Sequence, residues 1–279
     1  MKERLSWIIL ILLLIAGVTL LAFPFVSDFL YWQAANVEIH EFDRQASALT
    51  NEEIDQRVEL AHIYNSTLMT TELIDPYSEE EQAEGRRAYA QMLEINEQIG
   101  YVTIPKIQVK LPMFAGTNEK VLQKGVGHLE GTSLPVGGEN THSVLTAHRG
   151  LPTASLFTDL DQLVEGDVFY VDTIQGTLAY QVVMVEVIEP TDFSLLEVVS
   201  GEDLITLLTC TPYMINSHRL IVRGERIAYI PDVEEETSRA WQPNMNNLYV
   251  RWGIYGLIGL VFVIILIFVV PRFIKPKSK

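Results

Sequence analysis

The chain has 279 residues, 36 Asp and Glu against 20 Lys and Arg, a formal net charge of −16, and one cysteine. So acidic a balance excludes a nucleic-acid-binding protein, which needs a basic footprint to displace phosphate counterions. A single thiol excludes an intramolecular disulfide framework.

Residues 5–27, LSWIILILLLIAGVTLLAFPFVS, carry no charge and follow Lys2 and Arg4. About 20 apolar residues cross a bilayer as a helix, and basic residues stay on the cytoplasmic side. Residues 1–27 therefore read as a cytoplasmic N-terminus and a transmembrane anchor. A cleaved signal peptide is the alternative. The apolar run exceeds the roughly 7–15 residues of a signal core, and the best cleavage candidate is Gln33-Ala34-Ala35. The anchor is favoured.

Residues 28–100 read as an extracytoplasmic helical region. They hold 16 acidic residues against four Arg and no Lys, which suits a solvated helical surface. Thr50-Asn51-Glu52-Glu53 has the spacing of a capping box, and Ile54, Val58 and Ala61 follow at helical intervals. Ser78-Glu79-Glu80-Glu81 repeats the device. Ala88, Met92, Ile95 and Ile99 then share one helical face, up to a stop at Gly100. Between the two helices lies a loop, 73–78, containing Asp75-Pro76-Tyr77. The proline disfavours helix at Asp75, and on local grounds the loop is an inter-helix connector.

From 101 to 231 the pattern becomes β: YVTIP, IQVKLPMFAG, SVLTAH, DVFYVDT, LAYQVVMVEVIEP, DLITLLTC and HRLIVRGERIAYI, split by Gly and Pro. About eight short strands imply a mainly β domain, a closed or sandwiched antiparallel sheet. Residues 232–251 are a polar linker. Residues 252–271 form a second uncharged span, and the tail 272–279 carries Arg272, Lys275, Lys277 and Lys279. Both ends therefore read as cytoplasmic, with the middle of the chain outside.

The lone cysteine, Cys210, closes an apolar strand just before Thr211-Pro212. A lone thiol commonly packs as a small hydrophobe, but a strand end feeding a loop is also where scaffolds present reactive groups. A nucleophilic thiol needs a proton acceptor nearby. Of six histidines, His40 and His62 fall on the acidic helical surface. His142 precedes a strand and reads as exposed, and His128 is a loop residue, either structural or site-lining. His148 ends a strand as Cys210 does, and His218 begins the strand after it. Placement favours His148 and leaves His218 open. Arg219 and Arg223 point to one face, roughly 13 Å apart at the rise of a strand, so one of them would lie near Cys210. An arginine there would stabilise an oxyanion. No compact His/Cys cluster of the kind that holds zinc appears in the sequence.

Together these residues resemble the sortase family of cysteine transpeptidases. Thr206-Leu207-Leu208-Thr209-Cys210 matches its T-L-x-T-C signature, Leu145-Thr146-Ala147-His148-Arg149 its histidine motif, and Ser217-His218-Arg219-Leu220 its arginine motif. The second span, the helical region before the β domain and Asp75-Pro76-Tyr77 resemble class C, the pilin-polymerising members. The resemblance implies a sortase-like closed β-barrel, with Cys210 as nucleophile, His148 as general acid and base, and Arg219 as oxyanion donor. It implies a lid formed by Asp75, Pro76 and Tyr77, where the aromatic is often Trp or Phe. It implies cleavage of an LPXTG-like signal between Thr and Gly and transfer to a pilin lysine, with no metal or organic cofactor. The implied partners are pilin subunits and the membrane. Asn216, Arg149, Arg223 and His128 would assist or support the site. Two alternatives stay open: a sortase that anchors single proteins to peptidoglycan, and a tethered binding domain with an inert Cys210.

Overall fold

A long apolar run has only one way to satisfy its backbone in lipid, by bonding to itself as a helix. In the computed structural model, which describes residues 2–68 and 91–231 together with positions 256 and 259, the chain begins as a single helix, α1, Lys2–Ala46. It is the one helix among the described residues long and apolar enough to cross a membrane. The loop 73–78, the second cap at Ser78, the linker 232–251 and nearly all of 252–271 lie outside the described residues. The barrel belongs to a compact unit that runs from Phe23 to Thr237.

Within that unit α1 turns an apolar stripe inward. Ala35, Ile39 and Phe42 are buried, at the i, i+4, i+7 spacing of one helix face. The Phe42 ring meets Tyr101 edge-on at 6.2 Å. Tyr31 donates to the Lys124 carbonyl at 2.8 Å. A second helix, α2 (Asn51–Ser66), starts at the expected capping box: Glu53 N donates to Thr50 Oγ1, and Thr50 N donates to Glu53 Oε2. Buried Asn65 holds α2 to the barrel by bonding both the carbonyl and the amide of Leu134, at 3.1 and 2.7 Å.

The helix expected to run to Ile99 is corrected by the structure. Residues 91–93 form a turn, and strand β1 already begins at Gln98. Leu93, Ile95 and Ile99 are buried, so the apolar spacing is real. Asn96 and Glu97, however, take φ of 50° and 71°, which no helix tolerates. Gly100 is not a helix stop. It lies inside β1, where a Cβ would come within 2.0 Å of the Asp172 carbonyl oxygen.

The barrel strands are β1 (Gln98–Ile104), β2 (Val109–Ala115), β3 (Val126–His128), β4 (Thr141–Thr146), β7 (Val168–Thr173), β8 (Gly176–Ile188), β9 (Asp203–Thr211) and β10 (His218–Ile227). They close in the order β1-β2-β3-β4-β9-β10-β8-β7. A short helix, α3 (Glu119–Lys124), links β2 to β3, and a hairpin, β5 (Arg149–Leu151) with β6 (Ala154–Leu156), follows β4. The sheet is not purely antiparallel: β2 with β3 and β4 with β9 run parallel. Val102, Leu145, Phe169, Tyr180, Leu207 and Val222 fill the interior. A smaller apolar cluster, Leu129, Val144, Ile188, Leu196, Leu208 and Ile221, lies apart from it. It covers the other face of β4, β9 and β10, because side chains alternate along each strand.

Candidate active site

Strand β9 sends Ile205 and Leu207 into the main core, and Leu208 into the smaller cluster. Alternation therefore turns Thr206 and Cys210 to the outer face with Leu208. Cys210 is a buried thiol, at 6% exposure. On one side, Arg219 of β10 is its direct cross-strand partner. Opposed antiparallel residues have Cα atoms about 4.5–5.5 Å apart and side chains on one face. Arg219 is also 6% exposed, and its Nη1 donates to the carbonyls of Asn216 and His218, both at 3.1 Å. The loop after Cys210 thus aims the guanidinium.

On the other side β4 runs parallel to β9, with Thr146 opposite Leu208. The chain keeps this alignment past the strand end: Ala147 N donates to Leu208 O at 3.2 Å, and Thr209 Oγ1 donates to Ala147 O at 2.7 Å. Two residues further on each strand, His148 comes level with Cys210. Its Nε2 is 3.2 Å from Glu119 Oε2. An ionised carboxylate only accepts, so Nε2 is the donor in this pair. Glu119 is the first residue of α3, whose N-cap Asn118 accepts from Val121 N at 3.2 Å. Nothing near Glu119 in sequence signals this role, and the two partners lie 29 positions apart.

Arg149 joins the two junctions. Its Nη1 donates to Thr211 Oγ1 at 2.7 Å, its Nε donates to Thr158 O, and it pairs with Asp161. The residue after the histidine therefore holds the residue after the cysteine. His218 stands opposite Thr211, off the face that carries Cys210, and pairs with Glu189 at 3.3 Å.

His142 is not exposed, as the sequence suggested, but fully buried. Its Nδ1 is 2.7 Å from the Glu197 carbonyl and therefore carries the proton, while Nε2 is 2.8 Å from Thr206 Oγ1 and accepts. Burial lowers its pKa to about 4. His128 is likewise buried, on β3, with Nε2 2.8 Å from Ser133 O and its pKa lowered by burial to about 4. Both are structural, neutral imidazoles. Arg223 is buried opposite Thr206, donates to Leu195 O, and has its pKa lowered by burial. With His142 it holds the 189–202 connection against the outer face. His40 and His62 are exposed, as expected.

A thiol, an imidazole and a guanidinium thus meet at one end of three adjacent strands. The family model for the sortase domain matches residues 102–227. Sortase C-1 from Streptococcus pneumoniae is 56% identical, with a TM-score of 0.68, over 69% of this chain and 99% of its own. The chain belongs to the sortase family. Sortase C1 of GBS pilus island 1 is 54% identical, with a TM-score of 0.66, over 70% of this chain and 93% of its own. Sortase A of Bacillus anthracis is 25% identical over 226 residues, 81% of this chain and 96% of that protein. The sortase described here is accordingly a cysteine transpeptidase of class C, built on the closed eight-stranded barrel expected from its sequence.

Proposed function

We propose that this sortase polymerises pilin subunits, with Cys210, His148 and Arg219 in the catalytic roles. The Cys210 sulfur attacks the Thr carbonyl of the Thr–Gly bond in an LPXTG-like sorting signal. Arg219 donates to the oxyanion of the tetrahedral adduct. The C–N bond breaks, the glycine amine leaves with a proton from His148, and an acyl-thioester remains on Cys210. The amine of a pilin lysine then attacks the thioester carbon and surrenders a proton to His148. Thiolate leaves, and an isopeptide bond has formed. Each turnover restores the starting protonation, so side chains alone carry the reaction.

The observation that carries this reading is the register of β9, with Arg219 opposite Cys210 on one side and the His148 junction on the other. Charge-assisted donors beside a buried thiol suit an anionic intermediate formed away from bulk water. The similarity to class C enzymes supports the pilin as substrate and acceptor. By the same resemblance, the loop with Asp75, Pro76 and Tyr77 is a lid over the site. The apolar segments 5–27 and 252–271, each flanked by basic residues on its outer side, support two membrane spans with the barrel outside the cell.

Full-length protein in detergent, incubated with an LPXTG peptide, tests the acylation step by intact mass. Wild type is expected to gain the peptide cleaved after Thr, and Cys210→Ala to gain nothing. A Cys210→Ala chain that still processes the peptide would remove the nucleophile assignment. With pilin subunits added, a ladder of products is expected, whereas single attachments would point to peptidoglycan anchoring.

A further inference from the structure

The loop that follows Cys210 carries three consecutive apolar side chains in the open. Tyr213, Met214 and Ile215 are 50%, 74% and 70% exposed. Ile215 N and Asn216 N both donate to Pro212 O at 3.0 Å, so the loop is held in a defined turn. Three adjacent solvated hydrophobes beside a reaction centre need a covering surface.

Packing locates that surface. The Tyr213 ring lies against Gly150 of β5, so closely that a Cβ there would approach Tyr213 Cε2 to 2.3 Å. The same hairpin is tied at its far side to α1. Ser155 donates to Asp28 Oδ1 through both N and Oγ, at 2.8 and 2.9 Å, and Ser27 Oγ is 3.2 Å from Pro152 O. Asp28 is the first charge after the uncharged run 5–27. It therefore marks where a membrane anchor would leave hydrocarbon. Just beyond it the Phe29 and Trp32 rings stack at 6.2 Å, and Phe25, Val26, Phe29 and Leu30 are exposed. Aromatic residues gather at that level of a bilayer. From the hairpin tip back to Gly150 is about two strand residues, roughly 7 Å. Of the cations beside the loop, Arg149 pairs with Asp161, and the Arg219 guanidinium is turned onto the Asn216 and His218 carbonyls.

We propose that Tyr213-Met214-Ile215 is a lipid-contacting surface, seated on the membrane interface at the level marked by Asp28. The proposal rests on α1 being a membrane anchor. The contact is apolar, so it is insensitive to salt and to the content of anionic lipid, unlike polybasic docking.

The test uses the full chain with Cys210→Ala, which removes the only thiol, and a single new cysteine carrying the fluorophore NBD. Ile215→Cys probes the loop. Glu139→Cys, exposed at the opposite end of β4 and β9, is the reference. Both proteins are reconstituted in phosphatidylcholine/phosphatidylglycerol vesicles containing nitroxide-labelled lipid. The probe at 215 is expected to show blue-shifted emission and several-fold stronger quenching than the probe at 139, at low and high salt alike. Equal quenching at the two positions, in protein that floats with the vesicles, overturns the proposal and leaves the anchor intact. A blue shift at 215 that appears only when an LPXTG peptide is added also overturns it and assigns the loop to the sorting signal. Protein that fails to float with vesicles overturns the anchor, and the docking surface with it.

Discussion

Glu119 accepts from His148 Nε2 at the edge of the site, and that bond leaves Nδ1 as the imidazole nitrogen for the acid–base role proposed for His148. Glu119→Gln keeps the size and an acceptor oxygen but loses the charge that favours the protonated ring during amine departure. The kcat for acyl transfer is expected to fall roughly tenfold, a modest share of what a positioned acid contributes. The KM for the sorting peptide and the melting temperature are expected to hold. Steady-state kinetics beside a thermal melt checks both. Of the three residues proposed to react, placement in the sequence drew attention to Cys210 and favoured His148, each at a strand end, but left Arg219 and Arg223 open; the family motifs, each a short run of neighbours, singled out Arg219. Glu119 and His142 were not legible, because their roles come from partners 29 and 55 positions away. Nothing in Asn140-Thr141-His142 announces a buried imidazole. The Glu197 carbonyl and the Thr206 hydroxyl that satisfy it belong to the far side of a tertiary contact.

At the scale of elements, the β5–β6 hairpin links three things: the histidine junction, the cysteine loop and α1. Gly150 is its pivot, with φ of +78° and the Tyr213 ring against its Cα. Gly150→Ala meets two costs at once, a left-handed backbone and a clash with an aromatic ring. The expected loss of stability is about 1–3 kcal/mol. Alkylation of Cys210 by a small thiol reagent is expected to quicken as the loop moves off the site. A denaturation midpoint and an alkylation rate measure the two effects separately. The strands themselves were readable from alternation, but their order was not. The sequence favoured antiparallel pairing because short turns separate most runs, whereas β4 reaches β9 across the intervening hairpin and the β7–β8 pair. The run before β1 misled in the other direction. Met92, Ile95 and Ile99 keep helical spacing, yet Asn96 and Glu97 reverse the backbone and send the chain into the barrel.

For the whole molecule, two buried neutral imidazoles, one on β3 and one on β4, make stability depend on acid. His128 and His142 have folded pKa values near 4, against an ordinary 6.5. Below pH 6.5 the unfolded chain takes up protons that the folded barrel refuses. Stability is therefore full above that pH, falls as pH drops through the window, and levels off near pH 4. Across the whole window each histidine accounts for on the order of 3 kcal/mol. Chemical denaturation between pH 6.5 and 5, above most carboxylate titration, is expected to show the decline. His142→Gln, whose amide can both donate and accept, is expected to remove about half of the slope. A slope unchanged by the substitution would mean that other groups govern it.

The parallel seam between β4 and β9 also sets when the enzyme becomes one. Ala147 and Thr209, which lock that seam beside the site, are 62 residues apart in the chain. Pairings of such separation must close a long loop before they gain any contact, so they form late. A folding chain can hold its thiol and its guanidinium on one hairpin, β9–β10, before His148 stands level with them. Competence to react is then a certificate of completed folding, issued only once the barrel has closed.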